Sequence, residues 1–399
     1  EPDRGGAVAR GGMAMLLVGH SGRGKTTLTL ELVRRGWGFL SDDFAALTGR
    51  KVITDLFPAA GPEGSLSSAV EHIGVAQESG VLVVAPATAD LMAKFAHGLA
   101  DDFLSTLYLA FTGPVVLAPA MNTNMWRHPA TQANLEILRQ RGSIIIGPVE
   151  GRMASGLVGL GRMVEPAELL GHIRLALGRG GALSGMRVLI TAGGTIEPLD
   201  PVRSITNRSS GKQGYALAQA ALDAGAVVTL IHTPTHLPTP VGAQEVLVHT
   251  AAEMKDAVLD AAVQCDMVLM AAAVADFRPA QVAAHKIKKG DGGLRLELEP
   301  TEDILLALAG MRQPGRMPRL VVGFAAESQD LLQNAAKKLA AKKLDLIVAN
   351  DISAADAGFG VDTNRVTLLY ADGTREELPL QSKAEVAEEL VQRVLILLK

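Results

Sequence analysis

The run Ala118-Pro119-Ala120-Met121-Asn122-Thr123-Asn124-Met125-Trp126 sets an amide, two thioethers and an indole in a loop that follows an apolar stretch. The Asn122 amide can donate to a carboxylate while Met125 and Trp126 wall off a flat apolar ring; the same residues would also serve a strand end running into ordinary core. Upstream, His72 after Glu71 is a candidate general base or a surface or capping residue. A second group suits phosphate. Gly193-Gly194-Thr195 lets backbone amides approach an anion, and Asn207-Arg208-Ser209-Ser210-Gly211-Lys212 is rich in donors before a helix start. Clustered ammonium groups at Lys286, Lys288, Lys289, Lys338 and Lys342 favour a triphosphate, against a dinucleotide-binding domain or a solvated helix face. A third stretch, Gly19-His20-Ser21-Gly22-Arg23-Gly24-Lys25-Thr26, fits the nucleotide-phosphate loop template, with Gly24, Lys25 and Thr26 as its terminal ligands.

These residues need strands and helices to hold them, and short apolar runs alternating with helical patterns supply both. Strands are expected at Leu16–Val18, Val81–Ala85, Pro114–Ala118 and Ser143–Ile146, with helices at Ala89–Gly98, Pro129–Arg141 and Pro166–Leu177. Gly178-Arg179-Gly180-Gly181-Ala182 reads as a flexible joint. Beyond it, strands are expected at Arg187–Thr191, Val227–Ile231, Met267–Ala271, Leu320–Val322 and Asp345–Val348, with helices at Gly214–Ala224 and Ser382–Leu398. The alternation predicts β-α units and parallel sheets.

Composition narrows the class. With 399 residues, 48% hydrophobic and 20% charged, the chain suits two or three globular α/β domains. A formal net charge of −4 offers no global basic field, so no nucleic acid is expected. No apolar run reaches the roughly 18 residues of a membrane span. Glu1–Gly12 lacks a signal peptide's apolar centre, so a cytoplasmic location is expected. A lone Cys265 excludes a disulfide framework and a Cys-based zinc site within the monomer, and its apolar setting reads as a small buried hydrophobe.

In order and spacing, Glu71-His72-Ile73, Ala85-Pro86-Ala87-Thr88-Ala89-Asp90, Ala118–Trp126, Gly151-Arg152-Met153-Ala154-Ser155-Gly156 and Gly161-Arg162-Met163 resemble the flavin-dependent phosphopantothenoylcysteine decarboxylases of coenzyme A synthesis. The second half is similar to phosphopantothenate-cysteine ligase. It carries Ile190–Thr195, Glu197–Arg203, Asn207–Lys212, Ala271–Phe277, Lys286–Lys289, Gly323–Glu327 and Ala349–Asp351. The resemblance implies a flavodoxin-like domain followed by a Rossmann-like ligase domain. Expected bounds are 1–45 for an atypical amino-terminal segment, 46–180 for the decarboxylase and 184–399 for the ligase.

By resemblance, His72 matches the decarboxylase's base and Asn122 its substrate-carboxylate contact, with Thr88, Ser105, Thr106 and Met125 placed where the family holds FMN. Thr88, Ser105 and Thr106 could equally be helix caps. Asp276, Phe324, Lys338 and Lys342 match nucleotide-binding positions for CTP, and Asn207 and Lys286 match catalytic ones. The implied substrates are 4'-phosphopantothenate, cysteine and CTP with Mg²⁺, and the implied assembly is a homo-oligomer. Two departures stand out. The family's opening glycine-rich flavin-phosphate turn is absent, and Gly19–Thr26 with Phe39–Asp43 resembles the start of a HPr kinase-like P-loop domain instead. Ser155 replaces the family's proton-donating cysteine. The alternative is therefore an active ligase with an impaired decarboxylase half and a P-loop NTPase- or kinase-like amino end.

Overall fold

The computed structural model describes residues 71–152, 156, 158–289, 294–313, 315–327, 330–351, 358 and 360–398, together with the backbone of three strands, Gly5–Arg10, Met13–Val18 and Gly38–Leu40. Two compact units result, Glu1–Leu177 and Gly178–Lys399.

In the first unit a six-stranded sheet has the order Gly38–Leu40, Gly5–Arg10, Met13–Val18, Ser79–Ala87, Val115–Pro119, Ile144–Ile145. From Met13–Val18 onward the pairings are parallel, whereas Gly5–Arg10 pairs antiparallel with both its neighbours. The two central strands are apolar along their length because helices cover both faces, the expected pattern for a parallel sheet. Val81, Val83, Val116 and Ala118 pack on one face with Leu169, Leu170 and Ile173 of the helix Pro166–Gly178. Leu82, Val84 and Leu117 pack on the other with Phe95, Leu104, Leu107 and Leu138.

The second unit is built on an eight-stranded sheet in the order Gln244–Leu247, Val227–His232, Arg187–Ala192, Met267–Met270, Leu320–Glu327, Leu346–Asp351, Val366–Tyr370, Arg375–Glu377. The first six strands are parallel and the last two antiparallel. After Arg187–Ala192 the chain first builds outward one way and then returns to build the other way, so strand order reverses between Arg187–Ala192 and Met267–Met270. In open α/β sheets that reversal opens a crevice at the carboxyl ends of the strands. Within the second unit a Cβ on Gly178 or Gly181 would lie 2.5 Å from the carbonyl oxygen of Leu222 or Ala224, so these glycines permit close backbone packing. Cys265 is buried at 3% exposure, and burial pushes its thiol pKa up.

Candidate functional sites at the carboxyl ends of the two sheets

In the first unit the polar candidate residues lie at or near helix starts. Thr88 leaves the strand Ser79–Ala87 and caps the helix Ala89–His97, its hydroxyl accepting from Leu91 N–H at 3.2 Å. Asp102 caps Phe103–Ala110 in a reciprocal box with Ser105: Asp102 Oδ1 accepts from Ser105 N–H at 2.7 Å, and Ser105 Oγ accepts from Asp102 N–H at 3.1 Å. Thr106 Oγ1 donates to Asp102 O at 2.8 Å. Burial pushes the Asp102 carboxyl up, but bonds from Ser105 and Lys94 outweigh it and hold the group below its ordinary range.

Asn122 caps the short helix Thr123–Arg127, with Oδ1 accepting from Asn124 N–H at 2.9 Å. With the oxygen so engaged, the amide nitrogen is the group of Asn122 that can donate to a ligand. Met125 is half exposed beside it, while Trp126 is buried. The backbone at Met121 is tied to the hairpin Val149–Arg152/Val158–Arg162 by Met121 N–H donating to Gly161 O at 3.0 Å. His72 lies on the helix Glu71–Glu78, which packs against Phe103–Ala110, and its Nδ1 is buried without a protein partner. An orphaned ring nitrogen, an amide donor and a half-exposed thioether are each of a type that can meet a flat, hydrogen-bonding heteroaromatic ligand. Ser155, Gly24, Lys25 and Thr26 lie outside the described residues.

In the second unit the crevice is a cavity of about 540 Å³. Gly193, at φ +87°, follows the strand Arg187–Ala192, and a Cβ there would meet Thr233 Oγ1 at 2.1 Å; Gly193, Gly194 and Thr195, expected to approach a phosphate, do not line this cavity. Gly214 lets the helix Lys212–Asp223 lie against the sheet, since a Cβ there would lie 2.7 Å from Thr191 O. That helix begins at Gly211 with no side-chain cap. Asn207 lines the cavity and donates through Nδ2 to Ala273 O at 3.2 Å and Val274 O at 3.1 Å. Asp276, Phe324, Lys338 and Lys342 line the same cavity. Lys338 belongs to the helix Leu331–Ala341 and Lys342 follows it; their i, i+4 spacing puts both on one face, and Lys342 Nζ pairs with Asp303 at 2.8 Å.

Lys286 is placed differently. It is exposed, on an irregular segment between the strands Phe277–Pro279 and Leu298–Pro300, and does not line the cavity. Sequence reasoning missed three lining residues. Lys383 starts the last helix almost fully buried, donating to Gly358 O at 3.0 Å and Val361 O at 2.7 Å. Burial pushes its pKa down, reinforced by the nearby charge of Lys212. Lys212 itself donates to Gly360 O and pairs with Asp362 at 2.6 Å. Asn350 and Asn364 each leave a buried Oδ1 without a protein partner. A Ser-Lys helix start reads as an ordinary cap and a solvated lysine; only tertiary contact buries it.

Two sheets with polar residues gathered at their carboxyl ends define a two-part α/β flavoprotein: residues 25–177 match the family described as "Flavoprotein", and residues 183–397 match the "DNA/pantothenate metabolism flavoprotein C-terminal domain". The chain is 47% identical over 359 residues to the "Coenzyme A biosynthesis bifunctional protein CoaBC" of Bacillus subtilis (strain 168), covering 89% of this chain and 86% of that one. To the protein of the same name from Vibrio cholerae it is 46% identical over 352 residues, covering 88% and 86%. A "Cysteine/Cysteine sulfinic acid decarboxylase" from an unknown prokaryotic organism is 42% identical over 358 residues, covering 88% and 98%. The chain belongs to the family of bifunctional coenzyme A biosynthesis proteins. Among the described residues no helix is long and apolar enough to cross a membrane, and no group of three or more His, Cys, Asp or Glu could hold a metal.

Proposed function

We propose that the second unit joins cysteine to 4'-phosphopantothenate with CTP and that the first decarboxylates the product to 4'-phosphopantetheine, the two activities of a bifunctional enzyme of coenzyme A biosynthesis. The observation that carries the reading is the convergence of Asn207, Asp276, Phe324, Lys338 and Lys342 on one cavity at the sheet's switch point. In the first ligase step the 4'-phosphopantothenate carboxylate attacks the α-phosphorus of CTP; a P–O bond forms, and the bond to pyrophosphate breaks. The cysteine amine then attacks the acyl carbon, forming the amide and releasing CMP and a proton. Lys338, Lys342 and the uncapped amino end of Lys212–Asp223 suit the triphosphate. Lys286 neutralises charge on the reacting phosphate, and Asn207 orients the acyl-cytidylate. Mg²⁺ enters as part of the MgCTP substrate; the described residues offer no cage of their own.

In the first unit, Thr88, Ser105, Thr106 and Met125 are the residues that would hold FMN. Bound FMN supplies the two-electron acceptor that turns the cysteinyl CH₂–SH into a thioaldehyde, the electron sink that loss of CO₂ requires. Asn122 fixes the departing carboxylate through its amide donor. His72 takes the proton released at the substrate thiol. By sequence resemblance Ser155 takes the place of the residue that protonates the enethiol as the two electrons held by reduced flavin would be returned, and a hydroxyl is a far weaker acid than a thiol with its pKa near 8.5. On its phosphate-loop sequence pattern we read the Gly19–Thr26 stretch as a cradle for the flavin phosphate. The enzyme works in the cytoplasm as a homo-oligomer on small-molecule substrates.

The test supplies the purified chain with CTP, 4'-phosphopantothenate and cysteine. With CTP and 4'-phosphopantothenate alone, pyrophosphate should appear at no more than one per site, whereas CMP and continued pyrophosphate release should need cysteine as well; absence of both products with all three present overturns the ligase reading. A visible flavin spectrum of the same preparation, lost on Lys25→Ala, tests the first unit and its phosphate cradle. Ser155→Cys should raise the yield of 4'-phosphopantetheine over enethiol-derived products, and equal yields would show that another group donates the proton.

A further inference from the structure

Lys286 must act from an exposed segment, yet its neighbours are tethered on both sides. Ala283 N–H donates to Leu199 O at 3.0 Å. Ile287 N–H donates to Asp200 Oδ2 at 3.0 Å, and Ile287 O accepts from Arg203 Nη1 at 3.0 Å. Asp200 is a fully buried carboxylate whose oxygens are both in use: Oδ1 accepts from the N–H groups of Val202 and Arg203, each at 2.8 Å, and Oδ2 also accepts from Arg203 Nη1 at 2.7 Å. Asp200 stands in the turn between the antiparallel strands Ile196–Pro198 and Ser204–Thr206. Asn207 is the residue that follows the second strand, and Phe277–Pro279, which leads into the Lys286 segment, packs on the first.

One carboxylate thus joins two stretches of chain 87 positions apart, one leading to Asn207 and the other carrying Lys286. We infer that Asp200 is a positioning residue for ligation, holding the Lys286 segment against the hairpin that presents Asn207. This rests on the reading that Lys286 acts in ligation. The chemistry favours a carboxylate at this point over any neutral group. Four donors converge on it, one of them the Arg203 guanidinium, and an amide in its place would offer one acceptor atom and turn an N–H₂ group toward donors. A backbone tether leaves the Lys286 side chain free to swing toward the cavity while fixing where it starts, and starting position matters: misplacing a reacting group by about 1 Å can cost on the order of 100-fold in rate.

Asp200→Asn in the full chain is the test, with cleavage by trypsin after Lys286, Lys288 and Lys289 mapped by mass spectrometry alongside ligase kinetics. The expected result is faster cleavage at those lysines, a kcat lower on the order of 100-fold with KM for CTP little changed, and no further loss when Lys286→Ala is added, because both changes remove the same contribution. Unchanged cleavage at the segment overturns the tether. Losses that multiply in full in the double variant overturn the positioning role. Should Lys286→Ala alone leave ligation intact, the catalytic reading of Lys286 and with it the positioning role fail, while the cleavage rate still decides the tether. Ile287→Pro removes the N–H from the other partner and leaves Asp200 in place, so it carries the kinetic readout and the cleavage readout at Lys288 and Lys289 if Asp200→Asn does not fold.

Discussion

The two units place their candidate residues at the same part of an α/β sheet but hold them by different physics. In the first unit the polar atoms are engaged within a few residues of their own position: Thr88 with Leu91, Asp102 with Ser105, Asn122 with Asn124. In the second they are held across long stretches of chain: Asn207 by Ala273 and Val274, Ile287 by Asp200, Lys383 by Gly358 and Val361. A site built from local caps forms with its helices, and each residue serves stability as well as any ligand. A site built from distant contacts exists only when the sheet is complete. Substitutions should therefore cost the first unit stability and the second unit turnover.

The largest effect expected falls on the second unit. Lys286→Ala should lower ligase kcat by about 3 kcal/mol, a loss of a hundredfold or so, with an unchanged melting temperature, since an exposed side chain contributes little to stability. A melting shift as large as the rate effect would erase the contrast. A smaller effect is expected for Lys342→Ala, which removes one charge contact of roughly 1.5–3 kcal/mol and should raise KM for CTP about tenfold while sparing kcat. Steady-state kinetics with CTP varied separates this from the Lys286 result.

In the first unit Thr88→Ala should destabilise the fold by about 1 kcal/mol through the lost cap, read by calorimetry on flavin-free protein. No change in that melting transition would mean Thr88 serves the ligand alone, which sharpens its role and weakens the contrast. The smallest effect is a pH dependence. Burial pushes the Asp200 carboxyl up, but the N–H groups of Ile287, Val202 and Arg203 and the Arg203 charge outweigh it, so its pKa is held below the ordinary range. A depressed pKa contributes stability in full above the unfolded value near 3.9, and that contribution is lost as pH falls through the folded value. The melting difference between wild type and Asp200→Asn should therefore be constant above about pH 5 and shrink below about pH 4.

Periodicity alone made the central strands legible. Val81–Ala85 is an unbroken apolar run and Arg187–Thr191 has the apolar centre Val188–Ile190, and the structure extends the two expected strands only to Ser79–Ala87 and Arg187–Ala192. The antiparallel edge, Val366–Tyr370 and Arg375–Glu377, was not expected, because short strands near the surface mix polar and apolar residues. The helix Phe103–Ala110 was also missed; its FLSTLYLA run is apolar on nearly every side and has no helical period to read. The candidate site around Asn122 could be named from sequence because an amide between two thioethers is itself an unusual combination. Nothing comparable marks Lys383, whose buried ammonium depends on carbonyls 22 and 25 positions upstream, or Asp200, whose partner lies 87 positions on. Spacing in sequence carries no record of such contacts.

The central claim is that two separable sites, one in each unit, act in succession. Paired variants of the full chain test it most directly, with CMP release measured from CTP, 4'-phosphopantothenate and cysteine, and CO₂ release measured from supplied 4'-phosphopantothenoylcysteine. Lys286→Ala should lower CMP release by a hundredfold or so and leave CO₂ release at the wild-type rate, and Asn122→Ala should lower CO₂ release while leaving CMP release at the wild-type rate. Loss of both activities in either variant, in protein that melts as the wild type does, would contradict the account.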